Sequence, residues 1–88
     1  MQVVFLGKFS RDLDDLTDSG LKASVMDVIQ SLERAASLAE IANVRKMTGF
    51  KTAFRIRIRD YRLGVYYENG VVELVRFLHR SKIYRTFP

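Results

Sequence analysis

The sequence predicts an α+β fold: two N-terminal helices packed on one face of a mostly antiparallel four-stranded sheet, in the order β-α-α-β-β-β. Three observations predict it. Apolar residues recur at three and four residue spacing from Leu21 to Ala36, the period of a helix with one buried stripe. From Ala53 the period drops to two, with Phe54, Ile56 and Ile58 on one face and Arg55, Arg57 and Arg59 on the other. Asn69-Gly70 then separates two β-rich runs, which is the strongest short signal for a hairpin. A chain of 88 residues fits one domain, residues 1–88. Folding a chain of this size hides roughly 60 to 65% of its unfolded surface, so the core is modest.

Each element has its own warrant. Val3 to Phe9 is short, β-branched and aromatic, and reads as a first strand. Ser10 offers an N-cap, Asp12, Asp14 and Asp15 suit a first helical turn, and Gly20 can close that helix near Asp18-Ser19-Gly20. The second helix buries Leu21, Val25, Val28, Ile29, Leu32 and Ala36. Ala39 to Lys51 fits a helix tail, a loop or a short extended piece, with a turn at Thr48-Gly49. After the alternating strand, Asp60 and Tyr61 make a tight reversal, Arg62 to Tyr67 forms the third strand, and Val71 to Arg80 the fourth. In that last strand Leu74 and Leu78 share a face with Arg76, while Val75 and Phe77 lie opposite, so it is apolar on both sides and central. Residues 81–88 are expected to form a turn or helical cap over the sheet.

Charge divides the chain. From Met1 to Val44, four basic residues face seven acidic ones, a balance of −3; from Arg45 onward eleven face three, a balance of +8. Such a field attracts nucleic acid, an anionic membrane surface or an acidic protein partner. No apolar run approaches the ~18 residues of a membrane helix, and Val3 to Leu6 is too short for the core of a signal peptide, so a cytoplasmic location is expected. The chain has no cysteine, which removes disulfides and thiolate metal sites. Its acidic residues are scattered and its histidine is single, so no metal or other cofactor is expected.

Alternating charge on a strand often marks only the wet face of a half-covered sheet. Lysine would serve solubility equally well, yet positions 55, 57, 59, 62, 76 and 80 are all arginine. Guanidinium pairs bidentately with phosphate and keeps its charge, so phosphate is the expected ligand. Two strand residues rise about 6.5 to 7 Å, the spacing of successive phosphates. Gly64, with no side chain, is expected to leave room for a close ligand beside Arg62. At the end of the last strand, residues 79–85 ("HRSKIYR") gather His79, Arg80, Lys82, Tyr84 and Arg85. Cleavage of RNA without metal needs a group to take the 2′-hydroxyl proton, charge to stabilise the phosphorane, and a group to protonate the leaving 5′-oxygen. Arginines suit the second task, and His79 or Tyr84 the first or third.

An alternating basic strand, "YR", a hairpin and a strand running into "HRSKIYR" are similar to the RelE/ParE superfamily of toxins, most of all its RelE-like branch. The resemblance covers nearly the whole chain, with its specific part in Phe54 to Arg85. It implies a compact RelE-like toxin domain, part of a toxin–antitoxin hetero-oligomer, that cleaves mRNA on the ribosome. Arg62 and Arg80 would then hold the scissile phosphate, Arg55 or Arg57 would steady the leaving oxygen, and Tyr84 would orient or stack on a base. His79 is a further candidate for proton transfer, and Arg59, Arg76, Lys82 and Arg85 are expected as further RNA contacts. The implied partner is an antitoxin whose Asp- and Glu-bearing segment lies over Arg55 to Arg62 or displaces the 81–88 tail. Several members carry lysines in the alternating strand, and arginine donates a proton poorly, so the proton-transfer groups stay open. Two other readings also stay open: a ParE-like inhibitor of DNA gyrase, and a basic sheet that grips nucleic acid without cutting it.

Overall fold

A stripe of Leu21, Val25, Ile29 and Leu32 decides which side of the sheet is covered first. All four are buried, and they meet Ile56, Ile58, Leu63, Val65, Val72, Leu74 and Phe77 in one continuous core. Each fully buried side chain of this kind contributes about 1.5 to 3 kcal/mol. The computed structural model describes residues 1–88. Its elements are β1 (Gln2–Phe5), α1 (Gly7–Asp14), α2 (Ser19–Arg34), a 3-10 turn (Leu38–Glu40), β2 (Val44–Lys46), β3 (Ala53–Ile58), β4 (Tyr61–Glu68), β5 (Val71–His79) and α3 (Arg80–Thr86). The sheet order is β1-β5-β4-β3-β2, with β1 parallel to β5 and the other pairs antiparallel.

The α+β class and the two-helix cover agree with the sequence reading, and the sheet carries a fifth strand. That strand, β2, lies in the stretch left open between 39 and 51 and pairs Val44, Arg45 and Lys46 with Ile56, Arg55 and Phe54. The tail forms α3, which docks on the other side of the sheet from α1 and α2. There Ile83 and Phe87 pack with Met47 and Ala53 in a second, smaller cluster.

Several boundaries differ from expectation. β1 stops at Phe5, and α1 has already begun at Gly7, so Phe9 is helical and fully buried rather than the end of a strand. α1 ends at Asp14, and Asp18 caps the next helix instead, its Oδ1 accepting the Leu21 N–H at 3.0 Å. Gly20 therefore sits inside the first turn of α2. An aspartate carboxylate satisfies an orphan helix donor better than a glycine closes a helix with room to run. The first hairpin turns on Arg59 and Asp60, with Arg59 at φ 54°, and Tyr61 already belongs to β4. The second hairpin turns on Asn69 (φ 51°) and Gly70 (φ 76°), the two left-handed residues that a type I′ turn demands.

A bulge resets the faces of β5. Gly64 is opposite Arg76 but Val65 is opposite Leu74, which leaves Val75 unpaired. One extra residue shifts the alternation, so Leu74 and Phe77 both enter the main core while Val75 and Leu78 join the second cluster. The expected pairing of Leu74 with Leu78 on one face fails for that reason.

β1 ends opposite Leu74, and the next stretch of the β5 edge is closed by a side chain. Asp12 of α1 accepts the Phe77 N–H at 2.9 Å and Arg76 Nε and Nη2 at 2.7 and 3.0 Å. At the chain start, the Met1 ammonium donates to the carbonyls of Leu32, Glu33 and Ala35 at 3.1, 2.8 and 2.8 Å, placing a positive charge on the C-terminus of α2. Asp12→Ala leaves a backbone donor and a guanidinium without their acceptor. It should lower the unfolding free energy by about 2 to 3 kcal/mol in a urea titration, and an unchanged midpoint would show that the Asp12 bridge carries no stability.

Candidate nucleic-acid interface

Strand register gathers the arginines. Arg57 is opposite Arg62, Arg55 is opposite Gly64, and on the other side of β3 Arg45 is opposite Arg55. Cross-strand partners share a face, so Arg45, Arg55, Arg57 and Arg62 converge on the side of the sheet where α3 docks. With Tyr84 from α3 and Asn43 and Val44 at the start of β2, they line an open cleft of about 350 Å³.

Three of the four guanidiniums, those of Arg55, Arg57 and Arg62, are held by neutral oxygens. Arg57 Nη2 donates to Asn43 Oδ1 at 3.2 Å, and the Arg57 N–H donates to the Asn43 carbonyl at 3.0 Å. Asn43 takes φ 65°, a conformation that asparagine tolerates better than most residues. Arg62 Nη1 donates to the carbonyls of Tyr61 and Arg59 at 2.9 and 3.1 Å. Arg55 Nη2 donates to the Phe87 carbonyl at 2.6 Å, and its guanidinium lies 4.9 Å from the centre of the Tyr84 ring. Burial lowers the Arg55 pKa, the Tyr84 phenol acts in the opposite sense, and the charges of Arg45 and Arg62 lower it further. Arginine starts so far above neutrality that Arg55 stays charged all the same. Carbonyl dipoles orient these groups without cancelling their charge. The cleft is thus a concentrated, uncompensated positive field of the kind an anion completes.

The other expected site residues lie elsewhere. Arg59 is deflected out of the β3 face by its left-handed turn, and its guanidinium comes to 3.6 Å from where a Cβ on Gly20 would stand, at the start of α2. Arg76 is committed to Asp12 in the chain's ion pair, which raises its pKa chiefly through the hydrogen bond to that carboxylate. His79 caps α3: its Nδ1 accepts the Ser81 N–H at 3.2 Å, and its ring stands edge-on to Tyr61 at 5.5 Å. Tyr61 packs against the main core, so the imidazole lies toward the helix side of the sheet and not in the cleft. Arg80 opens α3, its N–H donating to the Asp60 carbonyl at 2.8 Å, and its exposed side chain is not among those lining the cleft. Lys82 and Arg85 are exposed on α3 and also stand outside it. Gly64 leaves no ligand space, because the Phe87 ring fills it. The sequence reading missed Arg45 and Asn43. Both lie in an irregular segment with no periodic signal.

Tyr84 is 71% exposed, so one face of its ring remains free to stack on a base while the other meets Arg55. Four guanidiniums beside one exposed aromatic ring have the chemistry to hold anionic oxygens and a stacked planar group.

The fold is shared with a known class of protein. Residues 3–84 match the family model of the ParE toxin of type II toxin–antitoxin systems, parDE, and the chain belongs to that family. It is thus a toxin of the RelE/ParE superfamily. It is 28% identical over 89 residues to Toxin RelE3 of Methanocaldococcus jannaschii, with all of both chains covered. The toxin in the RelB–RelE antitoxin–toxin complex of Methanococcus jannaschii superposes with a TM-score of 0.82 at 26% identity, covering 97% of this chain and 99% of that one. The RelE–RelB complex of Pyrococcus horikoshii OT3 shares the fold, with a TM-score of 0.72 at 19% identity over 92% of this chain and 96% of that one.

If the arginines of the cleft each contact a phosphate, single-stranded RNA binding weakens with salt, and Arg57→Ala or Arg62→Ala each reduce the log-log slope by about 0.7. Titration of a fluorescent oligonucleotide at several salt concentrations reads this. Slopes equal to wild type would place the RNA on another surface.

Proposed function

We propose that this toxin is a ribosome-dependent mRNA endonuclease. The observation that carries the reading is the cleft itself: four arginines without a carboxylate among them, next to an exposed tyrosine. In the proposed reaction the ribose 2′-oxygen forms a bond to the adjacent phosphorus and the bond from phosphorus to the 5′-oxygen breaks. The products are a 2′,3′-cyclic phosphate and a free 5′-hydroxyl, and no water or metal enters the step. Arg57 and Arg62, directly opposite each other, bracket the phosphate and stabilise the extra negative charge of the phosphorane. Arg45 and Arg55 hold the neighbouring backbone, and Tyr84 stacks on a base.

The proton transfers are the part that the cleft supplies least well. Its arginines are poor acids, and His79 lies outside the cleft with its Nδ1 engaged by Ser81. Tyr84, and groups of the mRNA and ribosomal RNA around it, are the remaining candidates, which is why the ribosome is part of the proposal. Arg80 lies two residues beyond Leu78, the partner of Arg62, and would approach the phosphate from the rim once RNA is bound. Such a protein works in the cytoplasm, where ribosomes translate.

The same field defines the antagonist. A cognate antitoxin would lay an Asp- and Glu-rich segment over Arg45, Arg55, Arg57 and Arg62, neutralising the cleft in a toxin–antitoxin hetero-oligomer. Relatives captured as RelB–RelE complexes support this part of the reading.

A second reading has one observation in its favour: the matching family model is that of ParE toxins. A ParE-like inhibitor would poison DNA gyrase by binding alone. The two readings separate in one set of assays. Mapping mRNA 5′ ends in a translating extract should show new ends on ribosome-bound message, and Arg62→Ala should slow their appearance about 10²- to 10³-fold, the usual loss on removing one donor to a developing negative charge. Cleavage by Arg62→Ala at the wild-type rate would overturn the active-site assignment. Inhibition of gyrase supercoiling without RNA cleavage would establish the alternative.

A further inference from the structure

Gly64 of β4 faces α3, and a side chain there would have nowhere to go. A Cβ on Gly64 would stand 2.6 Å from both Cγ and Cδ2 of Phe87 and 3.0 Å from its Cε2. The requirement for glycine is therefore one of space, set by an aromatic ring lying directly on the strand. That ring is 1% exposed and also packs against Tyr66 at 5.2 Å between centroids.

Phe87 is tied to the cleft in two ways. Its carbonyl accepts Arg55 Nη2 at 2.6 Å, and Arg55 is the residue opposite Gly64 in the β3–β4 ladder. Its N–H donates to the Ile83 carbonyl at 2.9 Å, continuing the helix that carries Tyr84, whose ring covers the Arg55 guanidinium. Arg55 Nε, meanwhile, is buried with no hydrogen-bond partner, an unfavourable state that only the surrounding packing can sustain. Gly64, Phe87, Tyr84 and Arg55 thus form a closed loop of contacts, in which the ring on the glycine fixes where the helix ends and so where the cation and the phenol lie.

We propose that Gly64 and Phe87 are positioning residues of the site: the glycine admits the Phe87 ring to the sheet, and the seated ring sets Arg55 and Tyr84 against each other for RNA. The proposal rests on the reading of the cleft as the RNA site, and it assigns to Gly64 and Phe87 no contact with substrate. A side chain at Gly64 must lift Phe87, release the Arg55 guanidinium and tilt Tyr84. Displacements of this size act on the reaction more than on binding.

The test combines a spectroscopic and a kinetic arm. In ¹⁵N-labelled protein the Arg55 Nε–H should exchange slowly with water, unlike those of the exposed arginines, and Gly64→Ala and Phe87→Ala should both abolish that protection. On ribosomes Gly64→Ala should lower kcat on the order of 10- to 100-fold with KM changed less than about threefold. Because both substitutions disrupt one contact, Gly64→Ala/Phe87→Ala should match Phe87→Ala within about twofold instead of multiplying the two losses. Should Gly64→Ala fail to fold, Phe87→Leu and Phe87→Ala carry the comparison: leucine keeps a side chain over Gly64 and should retain the Nε–H protection and most of kcat, while alanine loses both. A wild-type Arg55 Nε–H that exchanges freely, a Gly64→Ala protein with wild-type protection and kcat, or a double variant whose losses multiply would each overturn the proposal. Protection lost as expected in a protein whose wild type cuts no RNA would leave the positioning contact standing and sink the endonuclease reading.

Discussion

The register between β3 and β4 places Arg57 opposite Arg62 and Arg55 opposite Gly64, and the rest of the molecule is arranged around that pairing. Strand side chains alternate, so a slip of one residue would turn these arginines into the main core and expel Ile56, Ile58 and Leu63 from it. The core under α1 and α2 therefore enforces the geometry of the opposite face. Burying three large aliphatic side chains is worth several kcal/mol, far more than like-charge repulsion among half-solvated arginines can offset. Apolar packing on one side keeps together charges that would separate if left to themselves.

Those charges are left unbalanced by design of the local contacts. Where this chain needs an arginine for structure, at Arg76, it supplies a carboxylate, and the pair also satisfies a backbone N–H. Where the arginines form the cleft, the partners are the carbonyls of Arg59, Tyr61 and Phe87 and the amide of Asn43. The contrast separates two uses of one residue type, which composition alone cannot do. The acidic residues of the first half lie on α1, α2 and the turns around them, and none makes an ion pair with a cleft arginine, although Asp27 and Glu40 line a neighbouring pocket with Arg57.

How much of this could be read beforehand follows from how local each signal is. The α2 stripe and the β3 alternation depend on residues three or two apart; they emerge from Leu21 to Leu32 and from Phe54 to Ile58, while Ala36 is exposed beyond the end of α2 and Arg59 leaves the strand. β2 was illegible because three residues make no period, and it exists only because β3 offers it an edge. The bulge at Val75 depends on β4 as well as β5, so simple alternation misassigned Leu78. Arg55, Arg57, Arg62 and Tyr84, singled out from spacing and family likeness, come together in one cleft. Arg59 was misplaced because a two-residue turn imposes a left-handed backbone, and His79 because a helix start engages its ring nitrogen. Gly64 was noticed for the right reason, lack of a side chain, but the vacancy belongs to a residue 23 positions further along the chain.

Tyr84 presents two faces, and they are not equivalent. One lies under the Arg55 guanidinium, which draws on the electron density of the ring. The other is therefore less electron-rich than a free phenol, and the π cloud of an incoming base meets weaker repulsion there. A base stacked on it completes three tiers, cation, phenol and nucleobase, with a single charge polarising the column from below. In the proposed complex Arg55 would then be felt by two parts of a nucleotide at once: by the phosphate through space, and by the base through the ring between them.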